Sequence, residues 1–132
     1  AASCFDYVSV RTDLSLPDWH QALLLAGFDT SLPTFWVLEG FSGYLTGEEF
    51  HSLLGTLTRL SSPASRMLCT FLTPRTNFGS TMHKFTPADP LGEVQRHGWW
   101  GRQEDLGSVC VRYNRPLADN VMDGYCFVIV DV

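Results

Sequence analysis

Clustered positive charge is missing from this chain: nine lysines and arginines, scattered singly, stand against fourteen acidic residues, for a net charge of −5. Nucleic acids and anionic membranes are gripped by grouped Lys and Arg, so neither is an expected partner. No apolar run approaches the roughly 18 residues of a membrane-spanning helix. The opening Ala1-Ala2-Ser3-Cys4-Phe5-Asp6 reads as neither a signal peptide nor an amphipathic presequence. It carries no initiator Met and enters a strand-like run almost at once, as a chain cut from something longer, or a processed one, would. Paired cysteines are missing too. Cys4, Cys69, Cys110 and Cys126 show no C-x-x-C spacing and no histidine at ligand offsets, so no metal site is expected. Three of them lie in apolar runs as small hydrophobes, which points to a reducing compartment and a cytoplasmic protein. Nucleophile elbow, catalytic triad, Walker loop and G-x-G-x-x-G are all absent, which weakens a hydrolase or a dinucleotide-dependent dehydrogenase reading.

What is present suits one globular domain: 132 residues, 45% apolar and 17% charged, without repeats or a linker. Phe5 to Thr12, with Tyr7, Val8 and Val10, reads as a strand ending at Asp13-Leu14. Pro17 and Asp18 suit the first turn of a helix whose apolar face is Trp19, Ala22, Leu23 and Ala26, stopped by Gly27. Phe35-Trp36-Val37-Leu38 is apolar without alternation, the pattern of a parallel strand covered on both faces. Thr46 and Glu49 form a capping box, followed by the helical stripe Phe50, Leu53, Leu54, Leu57 and Leu60. The glycine-punctuated run before Glu49 imitates a calcium loop, but its early positions lack oxygen side chains, so calcium is rejected.

Arg66 to Leu72 reads as a third strand and Arg75 to Thr86 as a loop or partly helical cover. Asp89-Pro90 opens a short helix with Leu91 and Val94 inward, stopped by Gly98. Trp99-Trp100 opens a short strand, Glu104 to Tyr113 reads as helix, Asn114 to Gly124 as loop, and Cys126 to Val130 as the last strand. One tryptophan of the pair should pack under the sheet, and the other line a pocket or cover an edge. His20 and His51 fall off their apolar stripes and read as solvated, while His97 suits a helix end. The β-α-β-α-β order implies right-handed crossovers and a mainly parallel sheet. The strand near 7–11 is expected to pair directly with 34–38.

Such sheets bind ligands beyond the carboxyl ends of their strands. Asp13 and Glu39 both fall at expected strand ends, where a carboxylate can accept from an adenine amino group, ribose hydroxyls or an ammonium. The plain alternative for each is a turn residue or a helix cap.

The stretch Gly27-Phe28-Asp29, Ser31, Pro33-Thr34, Trp36 and Glu39-Gly40, followed by Tyr44-Leu45, resembles the leucine carboxyl methyltransferase family. Asp13-Leu14, the run from Leu60 to Arg66 and His97-Gly98-Trp99 extend the likeness from about Arg11 to Pro116. The resemblance implies an α/β fold: a partial Rossmann-like methyltransferase sheet, mainly parallel, flanked by helices, with its final strand antiparallel. In that family's strand order, 3-2-1-4-5-7-6, this chain would supply strand 3 and then strands 4 to 7. It would lack the first cofactor-binding strands, so residues 1–132 would be the C-terminal part of a single methyltransferase domain.

The implied activity is methyl transfer from S-adenosylmethionine to an acceptor oxygen. In eukaryotes the acceptor is the C-terminal leucine carboxylate of type 2A protein phosphatases, whereas relatives modify tRNA bases or small molecules. A protein C-terminal carboxylate or a small molecule is therefore the expected acceptor. By family analogy Asp13 and Leu14 meet the adenine, and Glu39 lies beside the cofactor. Tyr44, with Phe41, shapes the substrate pocket, although Phe41-Ser42-Gly43 departs from the larger apolar residues usual there. No catalytic residue and no metal are implied. A non-catalytic α/β remnant that binds a partner through an exposed sheet edge stays open as a different class.

Overall fold

Residues 6–75, 82–115 and 124–132 are described by a computed structural model of the chain. Its longest helix, α2 (Gly47–Leu60), follows α1 (Trp19–Leu25) and strand β1 (Phe35–Leu38), and starts at the capping box expected from the sequence. The Thr46 hydroxyl accepts from the Glu49 amide at 3.2 Å, and the Glu49 carboxylate accepts from the Thr46 amide at 2.7 Å. Phe50, Leu53, Leu54, Leu57 and Leu60 are all buried, and each such side chain contributes about 1.5–3 kcal/mol of transfer free energy.

That stripe faces a four-stranded sheet completed by β2 (Arg66–Leu72), β3 (Trp100–Asp105) and β4 (Tyr125–Asp131), in the spatial order β1-β2-β4-β3. β2 runs parallel to β1, from Phe35 opposite Arg66 to Leu38 opposite Cys69. β4 lies antiparallel between β2 and β3. The α/β class and the antiparallel final strand are as expected. So is the shared direction of the other strands: β1, β2 and β3 all run one way, and β4, inserted between β2 and β3, runs against them.

Met67, Cys69, Phe71, Cys126, Val128 and Val130 are buried together on the α2 side. Burial pushes the Cys69 thiol far up and the Cys126 thiol up to about 11, so both are inert apolar filler. On the other face α4 (Leu106–Arg112) lies against β3 and β4, with Glu104 bonded to both Arg102 and Arg112. Nothing among the described residues covers Phe35 and Val37, which are 60% and 53% exposed. β1 is thus an edge strand with one open face, not the doubly covered strand its apolar run suggests.

Several boundaries also differ. Residues 6–13 form no strand and Tyr7 is 90% exposed, so the expected pairing of 7–11 with 34–38 is absent. Alternating β-branched and aromatic residues suit a strand but cannot supply its partner. Asp18 is the N-cap residue of α1, one position before the first turn, and makes no side-chain cap bond. Glu104 and Asp105 belong to β3, and the Asp105 carboxylate caps α4 by accepting from the Ser108 amide at 2.8 Å. α3 (Pro90–Gln95) is as expected, with Val94 buried. Trp99 is buried and Trp100 exposed. The loops expected at 75–86 and 114–124 fall largely outside the described residues.

His51 corrects the solvated reading, and His97, just past the end of α3 as expected, is its partner. Their rings stack at 5.1 Å, with Nδ1 of His51 2.9 Å from Nε2 of His97. Nε2 of His51 is 3.1 Å from the Glu93 carboxylate, which also holds Arg96 at 2.7 Å. With His51 donating to ionised Glu93, its bare Nδ1 accepts from His97. A row of donors then runs from His97 through His51 to Glu93, tying α2 to α3. His20, also read as solvated, has its Nδ1 buried without a partner among the described residues.

Burial, then the neighbouring His51 and Arg96, lower the pKa of His97 against the pull of Glu93. The unfolded chain therefore takes up this proton at a higher pH than the folded one. Stability should be full above about pH 6.5 and fall as the pH drops below it, until folded His97 is itself protonated. Denaturant melts across this range should show the decline and should lose much of it in His97→Gln. An unchanged slope in that variant would remove His97 as the cause.

Candidate functional site

The residues singled out at the end of β1 form one continuous turn. The parallel ladder stops at Leu38 opposite Cys69, and Glu39 follows, exposed and without a hydrogen-bond partner among the described residues. Gly40 then turns the chain at φ +70°, a left-handed conformation costly for residues with a Cβ. Its amide donates to the Thr70 hydroxyl at 2.8 Å. Ser42, in the 3-10 turn Ser42–Tyr44, donates its hydroxyl to the Thr70 carbonyl at 2.8 Å. From the other side the Lys84 amide donates to the Gly43 carbonyl at 2.7 Å. Phe41 is half-buried against the core, and the half-exposed Tyr44 ring lies 5.6 Å from the His83 ring. The turn is anchored through its backbone, and Glu39 is left free at its start.

Asp13 is placed differently from the expectation. It ends no strand; its carboxylate accepts from the Ser15 amide at 3.0 Å and the Ser15 hydroxyl at 2.7 Å. Those two bonds hold its pKa below the usual aspartate value. This is the turn-forming alternative, an Asx turn. Leu14 beside it is half-buried against the core. The structure thus gathers Glu39, Phe41 and Tyr44 in one turn, while Asp13 closes a separate Asx turn with Ser15.

Thr70, Ser42 and His83 were not singled out from the sequence. Thr70 carried a signal: it is the one uncharged polar residue in the strand Arg66–Leu72, and it is 2% exposed. A buried hydroxyl in an apolar strand implies a partner. A separate cavity of about 560 Å³ lies where β2 and β3 end and β4 begins, lined by Thr73, Arg75, Gln103, Asp105 and Tyr125 among others. None of Asp13, Leu14, Glu39, Phe41 and Tyr44 lines it. Among the described residues no cluster of His, Cys, Asp or Glu could hold a metal ion, and no helix is long and apolar enough to cross a membrane.

A Cβ on Gly43 would stand 2.8 Å from Cδ2 of His83. Gly43→Ala should therefore displace the His83 ring from Tyr44 and destabilise the chain by about 1–3 kcal/mol, the usual cost of overpacking. In a His83→Ala background the same change should cost less by at least about 0.5 kcal/mol. Additive losses in the two thermal melts would show that the two residues do not touch.

Residues 2–58 match the family model described as leucine carboxyl methyltransferase. The chain is 33% identical to a protein of Parafrankia sp. (strain EAN1pec) over 89% of this chain and 42% of that one. It is 34% identical to a protein of Mycobacterium ulcerans (strain Agy99) over 77% of this chain and 33% of the relative. A third, from Rhodococcus jostii (strain RHA1), is 28% identical over 77% of this chain and 42% of its own length. All three bear the provisional name of an S-adenosyl-L-methionine-dependent methyltransferase. The resemblance read from the residues is upheld: residues 2–58 are similar to the leucine carboxyl methyltransferase family, and the chain spans less than half the length of these proteins.

Proposed function

We propose that this chain contributes the Glu39–Tyr44 turn to the active site of an S-adenosylmethionine-dependent methyltransferase. The observation that carries the reading is Glu39, a carboxylate without a partner among the described residues, at the carboxyl end of a parallel strand and on a turn anchored by its neighbours. A Cβ added at Gly40 would meet nothing within 4 Å, so backbone is open to a ligand there. These features fit the cofactor. The strand order β1-β2-β4-β3 supports the reading, since it corresponds to 4-5-7-6 of the methyltransferase sheet. The open edge of β1 lies where that sheet's remaining strands would continue.

In this proposal Glu39 accepts hydrogen bonds from the cofactor, and Asp13 and Leu14 lie beside its adenine. Tyr44 and Phe41 shape the acceptor's end of the site. S-adenosylmethionine supplies an electrophilic methyl group on a sulfonium, so a carboxylate acceptor needs no deprotonation. For such an acceptor the chain's residues have only to orient the partners and exclude water. The acceptor proposed is a carboxylate, either a protein C-terminus or a small molecule, or else a small-molecule hydroxyl. A cytoplasmic setting goes with it. A second reading, a non-catalytic module that recruits a partner strand, is favoured by the exposed edge at Phe35 and Val37.

Calorimetry with S-adenosylmethionine, on a protein as long as the relatives, separates the two readings. The enzyme reading predicts binding, weakened about tenfold by Glu39→Gln for one charge-assisted hydrogen bond lost, with an unchanged melting temperature in the absence of ligand. Asp13→Ala should weaken binding more than Asp18→Ala. The 132-residue chain alone should bind weakly or not at all. Failure of the long protein to bind would leave the interaction module as the reading.

A further inference from the structure

We infer that Thr70 is a positioning residue of this site, acting on the cofactor through the Glu39–Ser42 turn; the inference rests on the methyltransferase reading. β1 and β2 exchange ladder hydrogen bonds only as far as Leu38 and Cys69. Beyond that point Gly40, at φ +70°, has turned its amide out of the ladder, toward the buried Thr70 side chain in a part-buried setting where it needs an acceptor. The next residue of β2 supplies the acceptor. The Thr70 hydroxyl takes the Gly40 amide, and the Thr70 carbonyl takes the Ser42 hydroxyl, both at 2.8 Å. Thr70 and Ser42 are both buried, so water does not readily replace either bond.

One residue of the central strand therefore fixes the turn at two points that straddle Phe41. Glu39 lies between the last ladder pair and the Gly40 bond, so its backbone is held on both sides while its carboxylate stays free. That combination is what a binding carboxylate needs: a placed backbone and an uncommitted head group. The side chain required at 70 is a hydroxyl of limited bulk. Serine keeps the acceptor; valine keeps the shape and loses it.

The test compares Thr70→Val and Thr70→Ser with the parent in a protein of the relatives' length, using S-adenosylhomocysteine as probe. Binding is read by calorimetry and the turn by hydrogen exchange at the Gly40 amide. Thr70→Val should speed Gly40 exchange and weaken binding about tenfold, the effect of one hydrogen bond left unmade. Thr70→Ser should restore both. Unchanged Gly40 exchange in Thr70→Val, or faster exchange with unchanged affinity, would overturn the proposal. So would a Thr70→Ser variant that folds yet binds no better than Thr70→Val. Absence of binding by the parent protein would instead overturn the methyltransferase reading on which the proposal stands.

Discussion

Seven residues of β2 pair with seven of β4, Arg66 opposite Asp131 through Leu72 opposite Tyr125, and the rest of the molecule is arranged around that ladder. It makes β2 an interior strand with partners on both sides and turns Met67, Cys69 and Phe71 toward α2. Because β4 is antiparallel, β3 and the start of α4 are carried to the same end of the sheet as the turn after β1. Among the described residues β1 is left with one partner, so its outer edge and one face stay open. The same ladder leaves Thr70 buried beside the last residue that β1 pairs, where its hydroxyl and carbonyl hold the turn that carries Glu39.

Elements whose residues carry their own instructions could be read before the structure was known. The capping box at Thr46 and Glu49 and the five-residue stripe behind it specify α2 locally, and Asp89-Pro90 does the same for α3. β2 and β4 are apolar runs bounded by turn residues. Elements that depend on a neighbour could not be read in this way. Tyr7, Val8 and Val10 have strand composition but no strand beside them among the described residues. Phe35 and Val37 have core composition at an edge. Trp100 to Asp105 is a polar, glycine-containing stretch that becomes a strand because β4 offers it a ladder. Its final Asp105 then caps the helix that Glu104 and Asp105 had seemed to begin.

The site divides along the same line. Glu39 and Gly40 could be found from position alone, since a carboxylate and a glycine directly after an apolar strand mark a ligand-side turn. Asp13 shows the weakness of that rule, because its carboxylate is engaged by Ser15. Thr70 is thirty residues from Gly40, and the contacts of His51 with His97 and Glu93 also span distant segments. Sequence spacing cannot show such meetings; only a hydroxyl in an apolar strand and two histidines on neighbouring helices hinted at them.

The most direct measurement is an amide-shift titration of an isotopically labelled protein, as long as the relatives, with S-adenosylhomocysteine. The account predicts that, within this chain, the largest changes fall on Glu39 to Tyr44, with smaller ones near Leu14. Changes confined to Thr73 to Arg75 and Gly124 to Cys126, around the separate cavity, would contradict it.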